Sequence, residues 1–346
     1  MCRSLLSGVL SAMAAVALFL TCTPAMAGLH DDNGRLVTPS EDIDTTYQDW
    51  MGQNKQALAG LALNQVPLLG SHDAGSYGVN RDSEPCRACR TRDGGYVTRK
   101  PRGDDISSAR SQSTDILNQL RYGVRYLDLR VTKQDGEYWI EHIFLSAKVT
   151  GHGGMFWQIK EFLRQHPDEI IVLSNHALYE HKGGMNERET EEWYKLVQRE
   201  FGDLLVPAGS FSAATLGSIW QGKGRLVFYG DAKRFPEPFL WDESQVEGPW
   251  MDQKNPERLC QELSSELAGW AKGEAASKMR VLEAFTTTRK KIREAEKTNR
   301  LIRERLKTVW LNAPVTVVQV DDAVNSGLMP ILVNRLPGAN PTGGGN

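Results

Sequence analysis

Short apolar runs recur along this chain, separated by longer stretches whose apolar residues fall three and four apart, the period of a helix with one buried face. Residues 66–69 form the first run, and a short helix is expected before it over 50–63. Residues 113–122 place Ile116, Leu117 and Leu120 on one helical face and stop at Gly123, a C-terminal cap signal. Residues 124–131 alternate, so that Leu127 and Leu129 share one face of a strand while Asp128 and Arg130 share the other. Two opposite charges on a strand interior fit either a solvated edge or the mouth of a barrel. Residues 138–142 read as a third strand, ending in His142. Helices over 155–165 and 187–201 enclose a near-continuous apolar strand at 169–173. Further buried strands are expected at 224–231, 279–285 and 315–320, the last two joined by a helix over 288–310. Residues 236–249, rich in proline and aromatic side chains, read as a loop, with a weak strand near Trp250. Doubly buried runs belong to parallel sheets covered by helices on both faces. The order of elements therefore predicts an α/β protein, a parallel (β/α)8 TIM-like barrel with room for distortion or incomplete closure, in preference to an open doubly wound sheet. No Gly-rich phosphate fingerprint follows any of these strands.

The strand ends carry the chemistry. Leu68-Leu69-Gly70-Ser71-His72-Asp73-Ala74-Gly75-Ser76 sets an imidazole and a carboxylate directly behind an apolar run, with Gly70 and Gly75 allowing close approach of backbone or ligand. By itself this is either a turn with local hydrogen bonds or a catalytic strand end. In a parallel barrel the C-terminal strand ends meet, which would gather His72-Asp73, Asp128-Leu129-Arg130, His142 and Asp321-Asp322. Two histidines can divide base and acid duties, a guanidinium can neutralise an anion, and carboxylates can fix tautomers. Phosphodiester cleavage uses all of these parts. A metal could also use His and Asp, but the clustered arginine opposes a cation there.

Residues 1–27 pair Arg3 with an apolar stretch and an Ala25-Met26-Ala27 cleavage pattern, so a signal peptide and a secreted or periplasmic protein are expected. A lipoprotein reading through Cys22 is disfavoured by the bulky residues before it. Residues 28–48 would form an N-terminal arm, 49–336 the catalytic barrel and 337–346 a flexible tail. The formal charge of -2 over 346 residues argues against a nucleic-acid partner. Cys86 and Cys89 lie in a long loop over 80–110, where an oxidising compartment favours a local disulfide over a redox or metal role. Cys260 is then a buried thiol. Residues 289–307 are strongly basic and suit either an anionic lipid surface or, more simply, the solvated face of an outer barrel helix.

The same residues resemble the catalytic X region of phosphatidylinositol-specific phospholipases C, in its bacterial, metal-independent form. The matching pieces are residues 66–76, 120–131 with Tyr126-Leu127-Asp128-Leu129-Arg130, His142, 162–171 and 318–332. The resemblance implies His72 as the general base on the inositol 2-hydroxyl, Asp322 rather than Asp321 as its partner, and His142 with Asp73 as a composite acid. Arg130 would bind phosphate, with no metal and no cofactor. Asp128, Asn175, His176 and Asp252 are the implied substrate-binding positions. Asp231, where relatives place a sugar-binding arginine, and Ile143-Phe144, where a glycine often follows the acid histidine, depart from the family pattern. A phospholipid membrane surface is the expected partner, and a monomer suffices. Two rival functions remain: hydrolysis of a glycerophosphodiester or another phosphodiester, and a non-catalytic lipid- or glycan-binding barrel.

Overall fold

Gly70 shows how tightly the first strand is wedged. A Cβ there would lie 2.8 Å from Val317 Cγ1 and 3.0 Å from Tyr126 Cδ1, so the two neighbouring strands close on it from either side. The approach that needs this glycine is therefore packing. The computed structural model describes residues 29–30, 36–37, 43–91, 94–175, 185–272 and 277–338. The expected signal peptide, most of the arm and residues 339–346 of the expected tail lie outside them.

The described strands after residue 43 are β1 (Leu68–Ser71), β2 (Tyr126–Asp128), β3 (Val131–Gln134), β4 (Glu137–His142), β5 (Phe144–Lys148), β6 (Ile171–Ser174), β7 (Leu226–Gly230), β8 (Leu240–Asp242), β9 (Val246–Glu247), β10 (Met279–Glu283) and β11 (Val317–Val320). Eight of them form one sheet in the order β8-β7-β6-β2-β1-β11-β10-β9, with every pairing parallel. The two end strands follow each other in the chain, joined through a single 3-10 turn at Glu243–Gln245, and do not pair. The sheet is a nearly closed parallel barrel with one seam. Its strands are mainly apolar, with Leu69, Leu127, Val172, Val227, Leu282 and Val317 all inaccessible, as burial on both faces requires.

Two expectations about the strands are corrected. Residues 138–142 do not belong to the barrel: β4 sits in the middle of an antiparallel sheet β3-β4-β5 inserted after β2. Its burial alternates, with Tyr138 and Ile140 covered and Glu137, Trp139 and Glu141 less so, because it has one covered face, whereas the central barrel strands are covered on both. The residues 236–249 read as a loop supply β8 and β9, and Trp250 lies beyond them, 56% exposed. Both strands are too short to show a period.

Helices cover the outside. Ile116–Tyr122 starts at Asp115, whose side chain accepts from Asn118 N at 2.9 Å, and ends at Gly123 with φ 121°. Helices Met155–Gln165, Glu187–Phe201, Pro256–Lys272 and Lys291–Lys307 follow. No described helix is long and apolar enough to cross a membrane. In the long loop, Cys86 and Cys89 form a disulfide packed on Leu145, and a short helix, Gly103–Ala109, closes the segment. The disulfide loop is stitched to the inserted sheet, with Cys86 N donating to Ile143 O at 2.9 Å and Leu145 N to Glu84 O at 2.8 Å.

Below β2 lies a buried ion pair. Arg125 Nε donates to Glu169 Oε2 at 2.8 Å, and its remaining donors reach the carbonyls of Leu120, Val124 and Gln48. Glu169 also accepts from Gly52 N at 2.9 Å, tying the segment before β1 to the barrel. Removing one partner strands a buried charge. Arg125→Met is therefore expected to lower unfolding free energy by about 3–5 kcal/mol, while Arg125→Met with Glu169→Met regains a large part; urea titration of the two variants checks this, and equal losses in both would contradict it.

Candidate active site

The C-terminal ends of β1, β2, β10 and β11 bring their polar residues together around Asp73. This carboxylate is 2% exposed and sits at φ 44°, a left-handed conformation that non-glycine residues rarely hold without a surrounding structure to enforce it. Its backbone N–H donates to Asp128 Oδ2 at 3.1 Å, and Gln319 Nε2 holds the same oxygen at 3.0 Å. Asp73 Oδ1 lies 2.8 Å from Arg130 Nε, an ion pair without an aligned N–H···O bond. Asp73 Oδ2 lies 3.2 Å from His72 Nε2, 3.5 Å from His142 Nε2 and 3.3 Å from both Lys291 Nζ and Ser111 Oγ. Burial alone would raise the Asp73 pKa, but Arg130 and Lys291, joined by His142 and His72 whenever these are protonated, hold it well below the usual carboxylate range.

His72 is fixed on three sides. Its ring stacks on Phe285, with centroids 3.6 Å apart and planes 7° apart, and its Nδ1 lies 2.7 Å from Asp321 Oδ1. A proton on Nδ1 directed at Asp321 leaves Nε2 as the atom that can accept another. The partner expected from the resemblance, Asp322, is a correction. Asp322 has φ 49°, and its carboxylate turns away to Ser113 Oγ at 2.5 Å and to Asn325 Nδ2. Gln319 and Asp321 share one side of the chain leaving β11, and Gln319 already faces Asp128.

His142 ends β4 and turns at Ile143, a β-branched residue held at φ 66°. Its Nδ1 donates to Ala109 O at 2.6 Å, which leaves Nε2 bare toward Asp73. Burial pushes its pKa down to about 3, with Lys291 and Arg130 adding to the fall and Asp73 opposing it. The resting ring is neutral.

Asp128 and Arg130 face the mouth together, so the solvated-edge alternative for this strand falls away. Asn175 follows β6, its Nδ2 3.5 Å from Tyr194 OH and its Oδ1 buried without a partner. Asp252 lies in the loop after β9 at φ 45°, beside Gln253, whose carbonyl accepts from Thr287 N. His176 lies outside the described residues. Sequence reasoning missed Lys291, hidden in a uniformly basic run, and Glu283, the last residue of β10. Burial raises Glu283 to about 8, with Asp128 adding and Arg130 opposing.

His72, Asp73 and Asp128 offer ligand atoms within 4.8 Å of one another. Asp73 already lies between Arg130 and Lys291, however, and two fixed positive charges on one carboxylate oppose a divalent ion. The site instead offers a base with an orienting carboxylate, a second imidazole and two cations around one small volume.

No protein-family model matches the chain. Among curated proteins, it is 30% identical over 231 residues to mouse PI-PLC X domain-containing protein 2, covering 64% of each chain. It is 30% identical to the human protein of the same name, over 64% of this chain and 72% of that one. The chain belongs to the PI-PLC X-domain family. Zebrafish PI-PLC X domain-containing protein 3 is 28% identical over 62% of this X-domain chain and 66% of its own. Among solved structures, phosphatidylinositol-specific phospholipase C from Staphylococcus aureus superposes with TM-score 0.57 at 17% identity, covering 84% of this chain and 98% of that one. The Listeria monocytogenes enzyme gives TM-score 0.57 at 15% identity over the same shares. These two likenesses establish the barrel fold of the X domain.

The raised Glu283 carboxyl makes stability depend on pH. Its folded pKa exceeds the ordinary 4.5, so the stabilisation is complete below that value and is lost as pH rises toward about 8. At 1.36 kcal/mol per unit, discounted for partial exposure, wild type should lose about 2 kcal/mol more than Glu283→Gln between about pH 5 and about pH 8.5. Urea titrations across that range read the difference; parallel curves would count against the raised pKa.

Proposed function

We propose that this protein is an exported, metal-independent phosphodiesterase that cleaves phosphatidylinositol-type lipids by attack of the inositol 2-hydroxyl on phosphorus. The products are a cyclic inositol phosphate and diacylglycerol. The observation that carries the reading is the single carboxylate Asp73, with His72, His142 and Arg130 all within 3.5 Å of it. Membership of the X-domain family supports the substrate class. The Cys86–Cys89 disulfide suits an oxidising compartment. The enzyme acts as a monomer on a phospholipid surface and needs no nucleic acid.

The geometry supports a division of labour. His72 Nε2 takes the hydroxyl proton while Nδ1–H stays on Asp321, which stabilises the imidazolium as it forms. The new O–P bond forms as the bond from phosphorus to the glycerol oxygen breaks. Arg130 answers the charge that gathers on the non-bridging oxygens. The departing oxygen takes a proton from the His142 and Asp73 pair. For that, His142 must first take a proton from solvent; burial, the main cause of its low pKa, opposes this, while the negative charge of a bound phosphodiester, like that of Asp73, favours the imidazolium.

Phosphatidylinositol vesicles in EDTA test the reading, with product followed by phosphorus NMR. Wild type should turn over in chelator and give cyclic product. His72→Ala and His142→Ala should each lose about 10²–10⁴ in kcat. Asp321→Asn should fall with them, whereas Asp322→Asn should stay near wild type. Metal dependence would overturn the mechanism. Cleavage of glycerophosphodiesters in place of phosphatidylinositol would move the assignment to that substrate, and lipid binding without turnover would make the barrel a binding module.

A further inference from the structure

Lys291 is an awkward residue where it stands. It opens the helix Lys291–Lys307, so its charge lies at the positive end of the helix dipole. It is also only 8% exposed, while Lys297, Arg300 and Lys307 of the same helix remain in solvent. Both the dipole and the burial disfavour an ammonium at that position. Its partners are few. Nζ lies 3.0 Å from Ser111 Oγ and 3.3 Å from Asp73 Oδ2, and an ammonium has three donors.

The arrangement around Asp73 explains the placement. Arg130 approaches Oδ1 and Lys291 approaches Oδ2, so a two-oxygen anion is gripped by a guanidinium and an ammonium. A phosphodiester presents the same shape through its two non-bridging oxygens. Asp73, Asp128 and Asp321 also make this mouth strongly negative, and one guanidinium against three carboxylates is a poor host for another anion. We propose that Lys291 is a second phosphodiester-binding cation of this site, acting beside Arg130 at the non-bridging oxygens.

The inference rests on the phosphodiesterase reading above. Lys291 takes no part in the proton transfers. The hydroxyl proton goes to His72, the leaving oxygen is protonated from the His142 side, and Lys291 contributes charge as the equatorial oxygens gain it. Its contact with Asp73 is the resting contact that the substrate phosphate comes to share.

The test uses full-length protein with Lys291→Met, Lys291→Gln and Lys291→Arg. Inorganic phosphate binding is read by calorimetry, phosphatidylinositol turnover by product release, and folding by circular dichroism and thermal midpoint. Lys291→Met should weaken phosphate binding at least about tenfold and lower kcat by about 10²–10³, the usual loss for one transition-state donor. Lys291→Arg should restore most of both. Lys291→Gln keeps a donor toward Ser111 and Asp73 without the charge, so it should fail like Met, and it carries the test if Met does not fold. Phosphate binding and kcat within about twofold of wild type in folded Lys291→Gln or Lys291→Met, with only the thermal midpoint lowered, would overturn the proposal and leave Lys291 as a counter-ion. If wild type does not cleave phosphatidylinositol yet phosphate binding still falls in these variants, the substrate reading fails and the cation assignment stands.

Discussion

A carboxylate removed from water must be compensated where it stands, and at the mouth of this barrel that carboxylate is Asp73. It is held in a left-handed backbone conformation, with its N–H on Asp128 and both oxygens among cations and imidazoles. The compensating groups come from separate parts of the chain: Arg130 from the end of β2, His142 from the inserted sheet, Lys291 from the helix after β10 and Ser111 from the segment before β2. Breaking a buried charge cluster at one member exposes the others to an unpaired charge, which is why such clusters couple distant segments. The mouth is thus assembled around one buried carboxylate and the groups that compensate it.

Much of this was legible. The apolar runs at 169–173 and 224–231 could hardly be anything but doubly covered strands; β7 lies inside the second, and β6 overlaps the first and ends at Ser174. The period of two in 124–131 placed Asp128 and Arg130 on one face, and the structure turns that face inward. The same period, applied to the last strand, would have selected the correct aspartate. Gln319 and Asp321 are two apart, whereas Asp322 is out of phase and leaves the site at φ 49°. Asp322 instead makes a local contact, accepting from Asn325 Nδ2 three residues on.

Other features had no local signature. Strands of two and three residues, β8 and β9, are too short for any periodicity, and they form because the barrel leaves two open edges that the chain fills as it passes. The strand β4 has apolar residues at its centre like a barrel strand, and nothing in it says whether it joins the parallel sheet or forms a separate one. Lys291 lies in a run where every second or third residue is basic, and only the direction of the helix axis decides which of them turns inward. Position in space set these outcomes, and for Lys291 it did so through contacts with residues 180 and 218 positions away.

The inserted sheet has a mechanical consequence. Base, carboxylate and arginine stand on or directly beyond barrel strands, whose neighbours on both sides fix their positions. His142 stands on a three-stranded sheet outside the barrel, anchored by three different contacts. Its ring is tied to Ala109 O, its turn at Ile143 is bonded to Cys86 N, and Gly75 leaves just enough room for Ile140 to pack against the β1 loop. The disulfide closes the loop that is bonded to this turn, so the covalent link lies on the His142 side of the site. His72 is thus placed by the barrel, while the position of His142 is set separately, through the inserted sheet and the loop bonded to it.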